Sequence, residues 1–177
     1  MISKFLEHIF VLTSISPVFL AIWLSKFIKT GHYEEGLFWM ILFIVLIPIS
    51  WLIIKFSEKK LEILPVNIKS IAPANREVAS FLIAYILPFL NIVDLNEWTI
   101  IFIVALLYVA MLTTSNYHFN PILSLFFGYH YYEVKIKDEN DGESTTYILM
   151  TKRTIRSCKN IQKVVQVSDY MLMEVSK

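Results

Sequence analysis

The nineteen residues GLFWMILFIVLIPISWLII, from Gly36 to Ile54, decide the fold because they contain no charged side chain and no histidine. A helix needs roughly 20 mainly apolar residues to cross a hydrocarbon core of ~30 Å, and about 17 is the lower limit. Three more stretches share this character: Ile9–Ser25, Val78–Val93 and Trp98–Ser115. The fourth stretch also meets the length, the first is marginal and the third is short. The pattern predicts a membrane α-helical bundle with four transmembrane helices.

Composition supports this prediction and divides the chain in two. The chain has 177 residues, 56% of them apolar, and a mean hydropathy of +0.57, which exceeds that of an ordinary soluble domain. We predict a transmembrane domain over residues 1–128, with a cytoplasmic loop at 55–77, and a small cytoplasmic β-rich C-terminal domain over 129–177. The single cysteine, Cys158, excludes an internal disulfide.

The lysines and arginines predict the orientation of the bundle. With four spans, fourteen of these sixteen residues fall on one side of the membrane. The 55–77 loop holds five of them, and the loop between the third and fourth stretches holds none. Basic residues near helix ends favour the cytoplasmic side, so we predict that both termini are cytoplasmic. The tryptophans agree, because all four lie near predicted span ends, where an indole N–H finds polar partners.

The polar tail has the pattern of β structure. Four strands are predicted, with Asp141-Gly142 as turn chemistry after the first: Tyr129–Lys137, Thr145–Thr151, Gln162–Val167 and Tyr170–Val175. So small a sheet has a marginal core, and we expect it to pack on the 55–77 loop, on the membrane-proximal segment or on copies of itself.

Three local predictions concern the segments between the spans and the tail. Lys55–Glu62 should continue the second helix into the cytoplasm. Asn75 should cap the third helix. The apolar run Ile122–Phe127 is too short to span and should lie along the membrane surface.

The spans contain no ionisable side chain, which argues against a proton-coupled transporter. A pore gated by dewetting stays open, because a hydrophobic constriction needs no charge. No zinc-protease, nucleophile-elbow or phosphate-loop motif occurs, so we predict no catalytic residue, no metal site and no cofactor. His118 is interpreted as an interfacial polar residue at the end of the fourth helix.

The densest basic run follows the second predicted strand of the tail. We consider three interpretations of this run: contact with anionic membrane lipids, docking of an acidic protein partner, or a solvated loop. Direct nucleic-acid binding is not expected from one short cluster. With two lysines at the end of the second helix, the candidate residues for binding a partner or a lipid are Lys152, Arg153, Arg156, Lys159, Lys163, Lys59 and Lys60.

The layout and several short strings resemble a known family. The strings are NRE at Asn75–Glu77, ILPFL at Ile86–Leu90, Asn120-Pro121, and GYHYYEV at Gly128–Val134. With four spans, a charged 55–77 loop and a β tail, they resemble the membrane subunit of the Kiwa anti-phage defence system (KwaA). The resemblance implies a bacterial inner-membrane oligomer that senses phage infection at the envelope. It also implies a cytosolic, DNA-binding partner subunit that acts against phage replication.

Two hypotheses about function follow. The first is a non-enzymatic inner-membrane sensor and scaffold that assembles through its helices into a homo-oligomer, for which a tetramer is one option. In this hypothesis the 55–77 loop and the β tail recruit the cytosolic DNA-binding effector. The alternative is an oligomeric membrane pore that depolarises the membrane when triggered. A membrane-embedded enzyme, the third class, has no supporting constellation of residues.

Overall fold

A computed structural model of the chain describes residues 4–87, 96–114, 119–137, 144–156, 161, 163–168 and 170–175. Within these residues the helices are α1 (Lys4–Thr30), α2 (Leu37–Lys60), α3 (Asn75–Ile86), α4 (Glu97–Thr114) and α5 (Pro121–Phe127). The strands are β1 (Ile63–Pro65), β2 (Ile68–Pro73), β3 (His130–Lys137), β4 (Ser144–Thr151), β5 (Lys163–Ser168) and β6 (Met171–Glu174).

Helices α1 and α2 form a long hairpin. Their 27 and 24 residues correspond to about 40 and 36 Å of helix. Gly31 and Gly36 bound the connection with φ angles of +72° and +79°, a left-handed conformation that favours glycine. The rings of Phe19 and Trp39 pack across the pair with centroids 5.7 Å apart. The extension of the second helix beyond Lys55 is confirmed, since α2 ends at Lys60.

Four transmembrane helices are not found among the described residues. Two helices, α1 and α2, are long and apolar enough to cross a membrane. Helix α4 is apolar but shorter, and α3 has only 12 residues, or about 18 Å of helix. The remainder of the predicted third stretch, residues 88–93, lies outside the described part. The sequence predicted four spans because hydropathy shows the length of an apolar stretch but not where a helix begins and ends.

The sheet has six strands, not the four predicted from the tail. The four predicted strands are present, each within two residues of its expected ends. Two more, β1 and β2, come from the 55–77 loop and occupy the two edges in the order β1-β5-β6-β4-β3-β2. Pro65 and Pro73 end these edge strands, a position where a residue without an N–H is tolerated. The expectation that the tail packs on this loop is therefore confirmed, and a C-terminal sheet formed by residues 129–177 alone is wrong.

Both faces of the sheet are buried. All its pairings are antiparallel except β4 with β6, where Leu149 lies opposite Leu172. On one face Tyr131, Met150 and Met173 join a core shared with the helices. On the opposite face Val134, Leu149 and Leu172 form a second core. The connection from β4 to β5 covers this second core with Ile155 and Ile161.

The segment between α4 and the sheet is a short helix. The predicted surface run Ile122–Phe127 forms most of α5, which the Asn120 side chain caps and Gly128 ends at a φ of +68°. The predicted cap of α3 by Asn75 is wrong. Asn75 is the first helical residue, and Ala74 precedes it without a side-chain cap. The Asn75 side chain accepts a hydrogen bond from β3 instead, which local sequence gives no means to foresee.

Candidate functional site

Asn120 joins the long helices to the sheet. Its side chain is fully buried, and its Nδ2 donates to the hydroxyl of Thr13 in α1 at 2.9 Å. Its Oδ1 accepts from the N–H of Ile122 at 3.0 Å and so caps α5. Its backbone carbonyl accepts from the hydroxyl of Tyr131 in β3, also at 3.0 Å. One residue therefore bonds to α1, α5 and the sheet.

Tyr131 extends this network to α3. Its N–H donates to Oδ1 of Asn75 at 2.8 Å, and its carbonyl accepts from the N–H of Ala74 at 2.8 Å. Burial raises the pKa of the Tyr131 hydroxyl far above its usual range, so this group stays a neutral donor. We name Thr13, Asn75, Asn120 and Tyr131 the helix–sheet junction. Because its buried polar groups have partners, it fixes one relative position of helices and sheet.

Three helices also meet at the opposite end of the hairpin. Lys26 of α1 forms an ion pair with Glu97 of α4. The second oxygen of Glu97 accepts from the indole N–H of Trp39 in α2 at 3.3 Å. The indole N–H of Trp23 donates to the carbonyl of Tyr33 at 3.2 Å. Both indoles therefore find polar partners near the ends of their helices, as predicted for interfacial tryptophans.

Within the predicted basic run, Arg153 differs from the other candidates because it is paired with a carboxylate. Arg153 donates through Nε to both oxygens of Glu174 at 2.9 and 3.0 Å and through Nη2 to the same carboxylate. Thr151 adds a 2.5 Å hydrogen bond to Glu174, whose side chain is only 6% exposed. This pairing with Glu174 raises the pKa of the Arg153 guanidinium. Arg153 thus pins the β4–β5 connection to the end of β6, and its charge is largely compensated.

The other candidate binding residues lie in different parts of the fold. Lys163 begins β5, and its neighbour Val164 lies opposite Glu174, the partner of Arg153, so residues 153 and 163 lie at the same end of the strands. Lys152, Arg156 and Lys163 are exposed. Lys59 and Lys60 lie in the last turn of α2. Lys159 and His118 lie outside the described residues.

Two contacts between a lysine and an aromatic ring were not predicted from the sequence. Lys55 places its ammonium 4.1 Å from the centroid of the Trp51 ring, one turn earlier on α2. Lys152 places its ammonium 5.0 Å from the ring of Tyr129. Burial, and then the nearby Glu58 carboxylate, raise the pKa of Tyr129 to about 12. The spacing of positions 51, 55 and 58, which fall on one helix face, was the available signal.

An apolar groove of about 350 Å³ lies between α1, α2 and α4. Leu12, Ile15, Leu42, Val104 and Tyr108 are among its lining residues. Across the described ranges, no three His, Cys, Asp or Glu side chains come together as metal ligands would. The arrangement can hold apolar chains and anionic groups.

The fold and the site define a class: α+β proteins in which a hairpin of long apolar helices is tied to a mixed six-stranded sheet by a buried polar junction. The sequence places the chain more narrowly. Over residues 6–173 it matches the family described as anti-phage protein KwaA, and the chain belongs to that family. No curated protein matches it, and no solved structure does. Membership gives the chain a role in anti-phage defence, as the resemblance implied.

Proposed function

We propose that this chain acts in anti-phage defence as a non-enzymatic sensor and scaffold in the bacterial inner membrane. Four spans place both termini in the cytoplasm, and the helices assemble into a homo-oligomer. The six-stranded sheet lies beneath the membrane and recruits a cytosolic DNA-binding effector. The observation that carries the proposal is the shared sheet, which combines strands from the 55–77 loop and from the tail.

The shared sheet restricts the topology. Ile71 of β2 pairs with Val134 of β3, so these two segments lie on the same side of any bilayer. The chain between Pro73 and His130 must then cross an even number of times. If α4 spans, a second crossing must therefore occur between Pro73 and His130. If α1 and α2 both span, the N-terminus is on the side of the sheet, as the positive-inside rule predicts.

Exposed apolar side chains support the membrane position. Only a third of the apolar segment of α2 is buried within the chain, unlike the core helix of a soluble protein. Ile41, Ile44 and Leu52 of α2 are each about half exposed, and Phe102 and Leu106 of α4 are exposed further. A continuous apolar surface of this kind favours contact with lipid or with other copies of the chain.

Cysteine labelling in intact cells tests the topology. In a Cys158→Ser background, Glu35→Cys places a thiol in the exposed α1–α2 connection, and Tyr170→Cys places one in the exposed β5–β6 turn. We expect a membrane-impermeant maleimide to label position 35 in intact cells and position 170 only after permeabilisation. Labelling of both positions, or of neither, in intact cells contradicts the topology.

Charge reversal tests recruitment without unfolding the sheet. Deletion of 129–177 would remove four of the six strands, so a point substitution is the sharper probe. Arg156→Glu/Lys163→Glu reverses two exposed basic side chains, and Lys69→Glu/Lys135→Glu is the matched control on β2 and β3. We expect the first variant alone to lose the effector in pull-downs from detergent extracts of cells with the complete defence system. Equal recovery from both variants contradicts docking through Arg156 and Lys163.

The hydroxyls within the long helices favour a scaffold over the alternative pore. Those of Thr13, Ser14 and Ser16 in α1 are buried and donate to carbonyls of their own helix. Ser50 in α2 does the same with Leu46 at 2.9 Å. A wet pore lining would present such groups to water. Depolarisation of infected cells that depends on this chain would support the pore instead.

A further inference from the structure

One face of α2 changes from apolar to basic toward the C-terminal end of the helix. It is formed by Ile41, Ile44, Pro48, Trp51 and Lys55. These residues follow one another at steps of three or four, so they share a helix face, and all are exposed. The uncharged run Gly36–Ile54, predicted as the second span, corresponds to about 28 Å of helix, close to the ~30 Å of a hydrocarbon core, and Lys55 is the first charged residue after it. Lys55 therefore lies at the level where lipid headgroups begin.

A second cation approaches this level from the sheet. Lys152 lies at the end of β4, over the ring of Tyr129. Tyr129 belongs to the same buried core as Ile54 of α2, next to Lys55. Two cation–aromatic pairs therefore lie near the end of α2, Trp51 with Lys55 on the helix and Tyr129 with Lys152 at the sheet. We name these four residues the headgroup site.

We propose that the headgroup site binds the phosphate of an anionic phospholipid, whose acyl chain lies along Ile41, Ile44 and Pro48. The inference rests on the proposed membrane position of α2. Lys55 and Lys152 supply the positive charge, and the two rings hold their long side chains in place. Arg153 does not contribute, because Glu174 already takes its hydrogen bonds.

The chemistry favours a lipid over an acidic protein. A soluble acidic partner would contact the cations but leave the adjoining apolar stripe uncovered. An amphiphile covers both, because its charged and apolar parts are joined at the boundary where Trp51 meets Lys55. A tryptophan at this depth is typical of a membrane interface, where its ring contacts both chains and headgroups.

Native mass spectrometry of the purified full-length chain tests the site. The probes are phosphatidylglycerol and phosphatidylcholine of identical acyl chains, added to the same detergent preparation. We expect phosphatidylglycerol to bind more tightly, with affinity falling about fivefold for Lys55→Gln or Lys152→Gln and about 25-fold for both. The control Lys69→Gln/Lys135→Gln removes the same charge from the sheet and should keep wild-type selectivity.

Four outcomes count against the proposal, and they differ in what they show. Equal affinity for the two lipids, or equal loss in the control, shows that no phosphate site exists here. Selectivity that inorganic phosphate abolishes at millimolar concentration shows a free-anion site without acyl-chain contact. Alkaline carbonate extraction of cell membranes is run in parallel. If it releases the chain, the proposed membrane position fails; a retained chain without lipid selectivity disproves the headgroup site alone.

Discussion

The helix–sheet junction predicts a measurable coupling between Asn120 and Thr13. Asn120→Ala removes the N-cap of α5, which costs about 1 kcal/mol, and the hydrogen bond to Thr13, which costs about another. The truncation also leaves space in a fully buried position. We therefore expect the free energy of unfolding to fall by about 2–3 kcal/mol, or by roughly 5–10 °C in thermal midpoint for a chain of this length.

A double-mutant cycle separates the coupling from the local losses. Thr13→Val keeps the shape of the side chain but removes the acceptor of the Asn120 amide. In Asn120→Ala/Thr13→Val the shared bond is lost only once, so the two effects should fall short of additivity by about 1 kcal/mol. The assay is SDS titration of the detergent-solubilised chain, followed by tryptophan fluorescence.

The control for this cycle pairs Asn120→Ala with Ser50→Ala. Ser50 is equally buried, but its hydroxyl bonds within its own helix, to the Leu46 carbonyl. We expect this pair to be additive within about 0.5 kcal/mol. If the Thr13 cycle is additive to the same extent, the hydrogen bond does not tie α1 to the sheet, and the reasoning about the junction is wrong.

Three further predictions concern single groups. Arg153→Ala leaves the Glu174 carboxylate buried without its cation, so we expect the free energy of unfolding, measured by thermal denaturation, to fall by about 1–3 kcal/mol. The double variant Arg153→Ala/Glu174→Gln should lose less. Ser57→Ala should raise the free energy of unfolding by about 1 kcal/mol in the same assay. The buried Ser57 hydroxyl has no hydrogen-bond partner among the described residues. The raised pKa of Tyr129, about 12, favours the neutral phenol in the fold. Stability should therefore be complete below pH 10 and fall between pH 10 and 12, by up to about 1.4 kcal/mol per pH unit. Tyr129→Phe should lessen this slope and the exposed Tyr170→Phe should not.

Much of the fold was predictable from local patterns in the sequence. The two long helices follow from uncharged runs whose length is visible, and β3 to β6 follow from alternating residues between turn residues. Both signals lie within about twenty consecutive residues, so no distant contact is needed. The loop strands were missed because Ile63–Pro65 is too short for a period, and proline at each strand's end reads as a breaker.

The candidate site was predictable only in part. The sequence identified the run of basic residues. The structure shows that Lys152 and Lys163 are exposed, as a binding surface requires. The pairing of Arg153 with Glu174 was not foreseen, because the partners are 21 positions apart and meet only when β4 and β6 align in parallel. The junction itself was not predicted: Asn75 was assigned to a helix cap, and nothing in the sequence indicated that Asn120 would bond to α1 and β3.

The sequence by itself determined that long apolar helices precede a β-rich tail, and its lysines predicted which side of a membrane that tail should face. Hydrophobic length and charge are properties of short segments, so they need no fold to act. Only the tertiary structure decided that the 55–77 loop completes the sheet and that Asn120 holds α1, α5 and β3 together. Those contacts join residues up to 107 positions apart, and hydrogen bonds of this range exist only once the chain has packed.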